Sequence, residues 1–213
     1  MAIYDLDICP QSATISLIAN TALYASPLIG SAQTTDRQAM KWKIQYTYDN
    51  VSTDQRGELM ALIAAVRGQS NRLRVMVHDN PARGAGGGSP LVNGAGQTGN
   101  TLTIDGATPS VTNWIRAGDY FSVIVNGEPE LKIAILDEDS SGGGSCILTF
   151  EPKLRDSPAD NAFIYTEPNG IAIPRGIFVM ENPENGWQSL PNSTGPISAF
   201  TLSMIEDVFA TQA

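Results

Sequence analysis

The sequence has little of what most enzymes and metal sites require. Among its 213 residues there are one histidine, His78, and two cysteines, Cys9 and Cys146. The cysteines lack the spacing of zinc ligands, and a single histidine cannot complete a zinc site without carboxylates. They are also too few and too far apart to indicate a disulfide framework, which favours a reduced, intracellular origin. His78 is not accompanied by a nucleophile elbow or a cysteine signature, so hydrolytic catalysis is not indicated.

Lysine and arginine are scarce as well. They total 13 against 22 aspartates and glutamates, for a formal net charge of −9. Tight binding of nucleic acid needs a basic surface, so this composition argues against DNA or RNA as a tightly held partner, although DNA can pass nearby without binding. No apolar run approaches the roughly 18 residues of a membrane span, and the first residues lack the basic-then-apolar layout of a secretory signal.

Apolar residues and turn formers are plentiful. Apolar residues make up 42% of the chain, and 20 glycines and 13 prolines supply many turns. This composition favours a folded protein with a real core. Alternation of apolar with polar residues predicts a series of β-strands. The clearest runs from Asp36 to Tyr48, and further strands are predicted at residues 73–77, 101–104, 120–125, 131–136, 146–150, 161–166, 176–180 and 197–209. Residues 12–24 are interpreted as a strand followed by a loop.

One helix is predicted, from Thr53 to Arg67. Ser52 is its N-cap, and Gln55 three residues later completes a capping box. An apolar stripe with helical spacing follows, formed by Leu59, Leu62, Ile63 and Val66. The predicted fold class is therefore mainly β with one flanking α-helix.

A Gly-rich stretch at residues 82–99 divides the chain. Seven of its 18 residues are glycine, so it is predicted to be a connector loop that buries little apolar surface. Residues 100–167 contain short, closely spaced strands and a strong hairpin signal at Asn126–Gly127, which is typical of a small β-barrel. Residues 168–213 lack a core of their own. We therefore predict one sheet domain formed by residues 1–81 with 168–213, interrupted by the inserted barrel.

Two short motifs have simpler explanations than ligand binding. The segment Gly94–Gly99 matches a dinucleotide-binding fingerprint, but that site needs a strand before it and a helix after it, and no helix is predicted there. The acidic segment Asp137–Asp139 offers oxygen ligands to a cation, but it lacks the spacing of an EF-hand loop and is more typical of a solvated hairpin tip. No cofactor, metal site or catalytic residue is predicted.

Four arginines form a local basic stretch in this acidic chain: Arg67, Arg72, Arg74 and Arg83. One explanation is an exposed helix end and the polar face of a strand. The other is contact with acidic groups of a neighbouring subunit, since charge complementarity is common at interfaces. The sequence leaves both open, and these four residues are the candidate inter-subunit contacts.

The order of these features resembles that of a known family. A strand with Trp42 is followed by the helix that ends in Leu-Ile-Ala-Ala-Val-Arg-Gly68, and then by the strand Leu73–Val77. The predicted insertion carries Ala-Gly-Asp-Tyr-Phe at 117–121 and closes with Phe-Glu-Pro-Lys-Leu-Arg at 150–155. In this arrangement the chain resembles the distal tail proteins of long-tailed bacteriophages, which are minor tail proteins at the tail tip.

The resemblance implies a split-barrel sheet like that of tail tube subunits, with the small barrel inserted into it. It implies a homo-oligomeric ring, usually a hexamer, which joins the tail tube protein on one side to the hub or tip protein on the other. The tape measure protein lies inside the ring, and DNA passes through without specific binding. Such a subunit is not an enzyme, needs no cofactor, does not insert into a membrane, and is made in the bacterial host cytoplasm before it joins the virion.

Three alternatives remain open. A plain tail tube subunit would stack into long tubes instead of stopping at one ring. A binding module would use residues 100–167 to recognise a host glycan, a host surface protein or other tip proteins. An enzyme that degrades the cell wall would need a carboxylate pair at a workable spacing, and the sequence does not indicate one.

Overall fold

The structure, a computed structural model, describes residues 1–25, 31–36, 40–79, 81–167, 173–189 and 198–208. Parts of the predicted strands 36–48 and 197–209, and of the predicted segment 168–213, lie outside these residues. The described chain is mainly β with one α-helix, which confirms the predicted fold class.

The helix is α1 (Thr53–Val66), and the strands are β1 (Ile3–Leu6), β2 (Ser12–Ile18), β3 (Thr21–Ala25), β4 (Ala32–Asp36), β5 (Lys41–Tyr48), β6 (Arg72–Met76), β7 (Gly88–Val92), β8 (Thr101–Ala107), β9 (Tyr120–Val125), β10 (Glu128–Ala134), β11 (Cys146–Glu151), β12 (Ile164–Thr166), β13 (Arg175–Met180), β14 (Trp187–Ser189) and β15 (Ser198–Glu206).

The first and last parts of the chain together form a seven-stranded sheet. Its strand order is β1-β6-β13-β15-β5-β2, and β14 is attached to β15. Strand β1 runs parallel to β6, and the other pairs are antiparallel. Strand β5 lies between β2 and β15, so that Ile44 stands opposite Ile15 on one side and Met204 on the other. The order therefore ends at β1 on one side and at β2 on the other.

One face of this sheet forms a core of large apolar side chains. Alternate residues of β5 are buried, as the sequence pattern predicts. The buried residues contributed by the strands are Leu6, Trp42, Ile44, Tyr46, Tyr48, Leu73, Val75, Phe178, Met180, Phe200, Leu202 and Met204. The Tyr46 hydroxyl donates to the Met76 carbonyl at 2.5 Å, and the Tyr48 hydroxyl donates to the Ile8 carbonyl at 3.1 Å. Both buried phenols therefore keep a hydrogen-bond partner, as buried polar groups require.

Helix α1 packs on the same core, and its local sequence explains both of its ends. The Gln55 backbone N–H donates to Ser52 Oγ at 3.2 Å, and the Ser52 N–H donates to Gln55 Oε1 at 3.2 Å, which confirms the capping box. Leu59 and Val66 are buried in the core. The predicted end at Arg67 is one residue late, because Arg67 already takes the left-handed conformation (φ 53°) that stops a helix.

The middle of the chain forms a six-stranded sheet in the order β12-β9-β10-β11-β8-β7. It curls into a nearly closed barrel. Its first and last strands meet, since the Val92 N–H donates to the Ala162 carbonyl at 3.0 Å and the Asn161 N–H donates to the Val92 carbonyl at 2.9 Å. The sheet has a core of its own, which includes Val92, Leu102, Ile104, Trp114, Phe121, Val123, Leu148 and Phe150. The division of the chain into two domains stays a prediction.

The hairpin of β9 and β10 turns at Asn126 and Gly127, as the sequence predicts. The two turn residues have φ of 50° and 87°, and Glu128 stands opposite Val125 immediately after the turn. A two-residue turn with positive φ at both positions matches the right-handed twist of the strands it joins. This local signal therefore fixes the register of the hairpin.

The structure corrects the prediction of a connector loop at residues 82–99. That prediction is wrong for Gly88–Val92, which form β7, pair with β8 and bury Pro90 and Val92. Gly88 has φ of 85°, and a Cβ at this position would lie 2.2 Å from the Gly106 carbonyl oxygen. Glycine is needed here because two backbones approach closely. Composition alone does not distinguish this requirement from that of a flexible linker.

Candidate functional site

A charge-free segment occupies one side of the seven-stranded sheet. Residues 8–35 contain no Asp, Glu, Lys, Arg or His, in a chain of which 16% is charged. We call these residues the uncharged arm. It contains β2, β3 and most of β4. The absence of charge marks the arm in the sequence. The strand prediction at residues 12–24 falls inside it but does not indicate that the segment is exposed.

Strand β2 of the uncharged arm has an open edge. It pairs with β5 on one side, and no described strand lies on its other side. Six of its seven residues are exposed, and Ile15 is half-buried. Leu17 and Ile18 are 36% and 40% exposed. Proteins that avoid pairing with other chains place charges or proline on such edges, and β2 has neither, so its edge can accept another strand.

After β2 in the sequence, the uncharged arm forms a small hairpin of β3 and β4. The two strands pair antiparallel with each other, and in the described part of the chain they belong to neither larger sheet. Leu23 is 68% exposed and Tyr24 is 60% exposed. A two-stranded hairpin is at best marginally stable in water, and Leu23 and Tyr24 expose an apolar side chain on each of its two faces. The arm therefore combines an open strand edge with an apolar hairpin.

Three of the four predicted contact arginines have partners within the chain. The partners are Asp207 for Arg72, Asp5 (3.1 Å) and Glu128 (2.9 Å) for Arg74, and the Ala117 carbonyl for Arg83. Arg67 ends α1 and is exposed. The ion pairs of Arg72 and Arg74 agree with the polar-face explanation, and a contact with a neighbouring subunit stays a prediction for all four.

The Gly-Asp pair of the predicted insertion has a structural role. Asp119 is 5% exposed. Its carboxylate accepts the backbone N–H groups of Arg83 and Gly84 at 2.8 Å and of Arg116 at 2.9 Å. A Cβ at Gly84 would lie 2.6 Å from the Trp114 carbonyl oxygen, so only glycine fits there. Asp119 thus ties the start of the Gly-rich segment to the connection between β8 and β9.

The histidine and the cysteines show no sign of activation. Burial lowers the pKa of His78, and its ring meets the Tyr46 ring edge-on at 5.9 Å. Cys146 lies in the barrel core, where burial raises the pKa of its thiol to about 11. The thiol is therefore protonated near neutral pH and is a poor nucleophile. Cys9 is an exposed free thiol.

The acidic segment Asp137–Asp139 does not converge on a cation. A hydrogen bond from the Ala117 backbone N–H to Asp137 Oδ1, at 2.8 Å, lowers the pKa of that carboxyl. Asp139 Oδ1 accepts the Asn113 N–H at 2.6 Å. Among the described residues, no group of three or more His, Cys, Asp or Glu side chains could hold a metal ion. These carboxylates fasten neighbouring loops.

The segment Gly94–Gly99 is followed by a strand, because β8 begins at Thr101. The Gln97 side chain fills the turn: its Nε2 donates to three carbonyl oxygens at 2.9–3.1 Å, and its Oε1 accepts the Thr103 N–H at 2.7 Å. Pyrophosphate binding by this fingerprint needs a helix N-terminus directly after the glycines. The segment is a turn, as the simpler interpretation predicts.

Two cavities lie near the segments in which the chain crosses from one sheet to the other. One, of about 200 Å³, is lined by residues that include Asp79, Arg83, Tyr120 and Glu167. The other, of about 380 Å³, has Arg74 and Arg175 in its wall. Both arginines already face carboxylates of the same chain. Two of the four predicted contact arginines line these cavities: Arg83 lines the smaller one and Arg74 the larger one.

The described part of the chain contains no helix that is long and apolar enough to cross a membrane. The observations that bear on function are the β-rich fold and the exposed uncharged arm. No protein-family model matches the sequence, and no curated protein is significantly similar to it.

Proposed function

We propose that the protein is a structural, ring-forming subunit of a bacteriophage tail tip. The observation that carries this proposal is the uncharged arm, which contains the open β2 edge and, directly after it in the sequence, the exposed β3–β4 hairpin. An open strand edge and exposed apolar side chains favour binding of another chain. Because residues 8–35 carry no charge, the arms of two identical copies would not repel each other electrostatically. The resemblance of the sequence to distal tail proteins supplies the type of assembly.

The ends of the seven-stranded sheet support a head-to-tail arrangement. Strand β2 ends the sheet on one side and β1 ends it on the other, and each has one described strand neighbour. A contact between two different surfaces of the same chain gives a ring if the rotation closes and a filament if it does not. A ring would pair the strand edges between subunits and remove them from water.

In this proposal the ring, of six copies, joins the tail tube protein to the hub or tip protein and surrounds the tape measure protein. The net charge of −9 suits a channel component, because an acidic wall repels the DNA backbone and lets DNA slide without binding. The role requires no catalysis, no cofactor and no membrane insertion. Its site of action is the virion, after synthesis in the host cytoplasm.

Mass measurement of the purified full chain tests the proposal. A hexamer has a mass of about 136 kDa, six times the 22.7 kDa of the chain, and electron micrographs should show closed rings. The variant Thr14→Lys with Ser16→Lys places two charges on exposed positions of β2. We expect it to be monomeric, because charged edges disfavour strand pairing.

The matched control is Thr101→Lys with Thr112→Lys, which adds the same charge at exposed positions of the barrel region and should still assemble. A wild-type protein that stays monomeric at high concentration, without affinity for tube or hub components, contradicts the proposal. Long open tubes would instead identify a tail tube subunit.

A second candidate function is recognition of a host surface or another tip protein by the barrel. Ile135 and Leu136, directly after β10, are 45% and 52% exposed, and Ile147 of β11 is 55% exposed. Exposed apolar residues of this kind occur at interaction sites. A glycan array probed with the full chain addresses the carbohydrate case, and a uniformly blank array removes it.

A further inference from the structure

Strand β10 belongs to both cores of the molecule. Leu131 lies in the core of the seven-stranded sheet, and Ile133 packs against it. Ala134, on the alternate face of the same strand, lies in the barrel core. The Trp42 indole N–H, from β5, donates to the Leu131 carbonyl at 3.0 Å. The barrel and the seven-stranded sheet are therefore packed against each other along β10.

Four buried charged side chains lie at and next to this junction, and we call them the junction cluster: Glu130 and Lys132 on the barrel face of β10, Arg155 of the barrel region, and Glu206 of β15. Lys132 Nζ lies 2.8 Å from Glu130 Oε2, with side-chain exposures of 0% and 1%. Arg155 Nη2 lies 2.6 Å from Glu206 Oε2, with exposures of 12% and 4%. The second pair crosses from the barrel region to β15 of the seven-stranded sheet.

Hydrogen bonds to the backbone fix the geometry of the junction cluster. Glu206 Oε2 accepts the Trp42 N–H at 3.0 Å, and Arg155 Nη2 also donates to the Met40 carbonyl at 3.2 Å. Lys132 Nζ donates to the Lys153 carbonyl at 3.0 Å. These bonds are directional. The Arg155 bond connects the barrel region to Met40, directly before β5, while the other two hold Glu206 and Lys132 in place within the sheet and the barrel region.

The junction cluster is a poor source of net stability. Burial lowers the pKa of Lys132 and raises the pKa of Glu206, so the interior disfavours the charged form of each. Glu130 Oε1 is buried without a hydrogen-bond partner. Buried ion pairs often add nothing compared with apolar side chains of similar volume, and in some proteins they select one geometry among several.

We propose that the junction cluster is an orientation lock, which selects a single angle between the barrel and the seven-stranded sheet and does not supply the stability of either. Apolar contacts such as those of Leu131 and Ile133 are non-directional and tolerate sliding. The Arg155–Glu206 pair, with its backbone bonds, fits one arrangement only. The proposal does not depend on ring formation.

The test replaces the whole junction cluster with apolar side chains: Glu130→Leu, Lys132→Met, Arg155→Met and Glu206→Leu. This removes two positive and two negative charges, so the net charge stays at −9. Spin labels on Gln45→Cys and Thr101→Cys, exposed positions of β5 and β8, report the distance between the sheets in a Cys9→Ser background. Samples are diluted with unlabelled protein.

We expect a thermal midpoint equal to or above that of the parent, and a distance distribution at least twice as wide. The matched control, Lys43→Met with Glu181→Leu, removes a half-exposed pair (2.5 Å) that does not involve the barrel, and it should leave the distribution narrow. An unchanged narrow distribution in the cluster variant overturns the proposal. So does a cluster variant that fails to fold or melts far below the parent, because the cluster would then supply stability.

Discussion

At the scale of single residues, the buried tyrosines set a limit to stability in alkali. Burial raises the pKa of Tyr46 to about 12 from its ordinary 10.0. In the unfolded chain the phenol ionises near pH 10, so the stability it contributes is complete below pH 10 and is lost as pH rises to 12. This loss amounts to about 2 kcal/mol at pH 12.

Comparison with the variant Tyr46→Phe isolates the contribution of the Tyr46 phenol to the pH dependence of the free energy of unfolding. At pH 8 we expect the variant to be less stable by about 1 kcal/mol, because it loses the hydrogen bonds to the Met76 carbonyl and from the His78 N–H. Toward pH 12 the difference should disappear or reverse, since only the parent has this phenol to ionise. Urea unfolding at both pH values measures it, and a difference that does not change with pH contradicts the assignment.

The buried charges of β10 are residues that a local sequence pattern does not locate. Alternation along the strand puts Leu131 and Ile133 on one face and Glu130 and Lys132 on the other, and charged residues ordinarily lie in water. The structure buries that face as well, because the barrel closes over it. A second core is formed by residues distant in sequence, and no local pattern encodes it. The junction cluster could therefore not be predicted: its four charged residues are present in the sequence, but only the fold brings them together.

At the scale of elements, helix α1 depends on its first turn. Ser52→Ala removes the side chain that accepts the Gln55 N–H. We expect a loss of about 1 kcal/mol in the free energy of unfolding, the usual cost of losing an N-cap. Thr53→Ala, at the neighbouring exposed position, is the control and should change stability by less. Denaturant unfolding followed by circular dichroism compares the two, and equal effects would argue against the capping box.

Elements with local signals were the predictable ones. The capping box located α1, and the Asn126–Gly127 turn located β9 and β10. Strand β1 is different, because it is short and pairs parallel with β6, nearly seventy residues away. Such a pairing leaves no turn signal in the sequence. The four predicted contact arginines could be recognised in the sequence as a charged stretch. The uncharged arm was not predicted as a site, because its distinguishing feature is the absence of charged residues.

At the scale of the whole molecule, the barrel has a core drawn from one continuous stretch of the chain, and we expect it to fold alone. Its cluster of buried residues comes entirely from residues 92–164. We expect a fragment of residues 81–167 to unfold cooperatively, with Trp114, its single tryptophan and 1% exposed in the full chain, still buried. Fluorescence and near-ultraviolet circular dichroism measure this. A solvent-exposed Trp114 spectrum would mean that the barrel needs the seven-stranded sheet to fold.

Because β10 contributes to both cores, it restricts which sequence changes the protein can accept during evolution. A different insertion joined at the same two chain crossings would remove Leu131 from beneath Trp42 and leave Glu206 without Arg155. A successful exchange must therefore carry a matching apolar strand and a matching cation, or alter the recipient at the same time. Substitutions at Trp42 and Leu131, or at Arg155 and Glu206, should accordingly be tolerated in pairs more readily than singly.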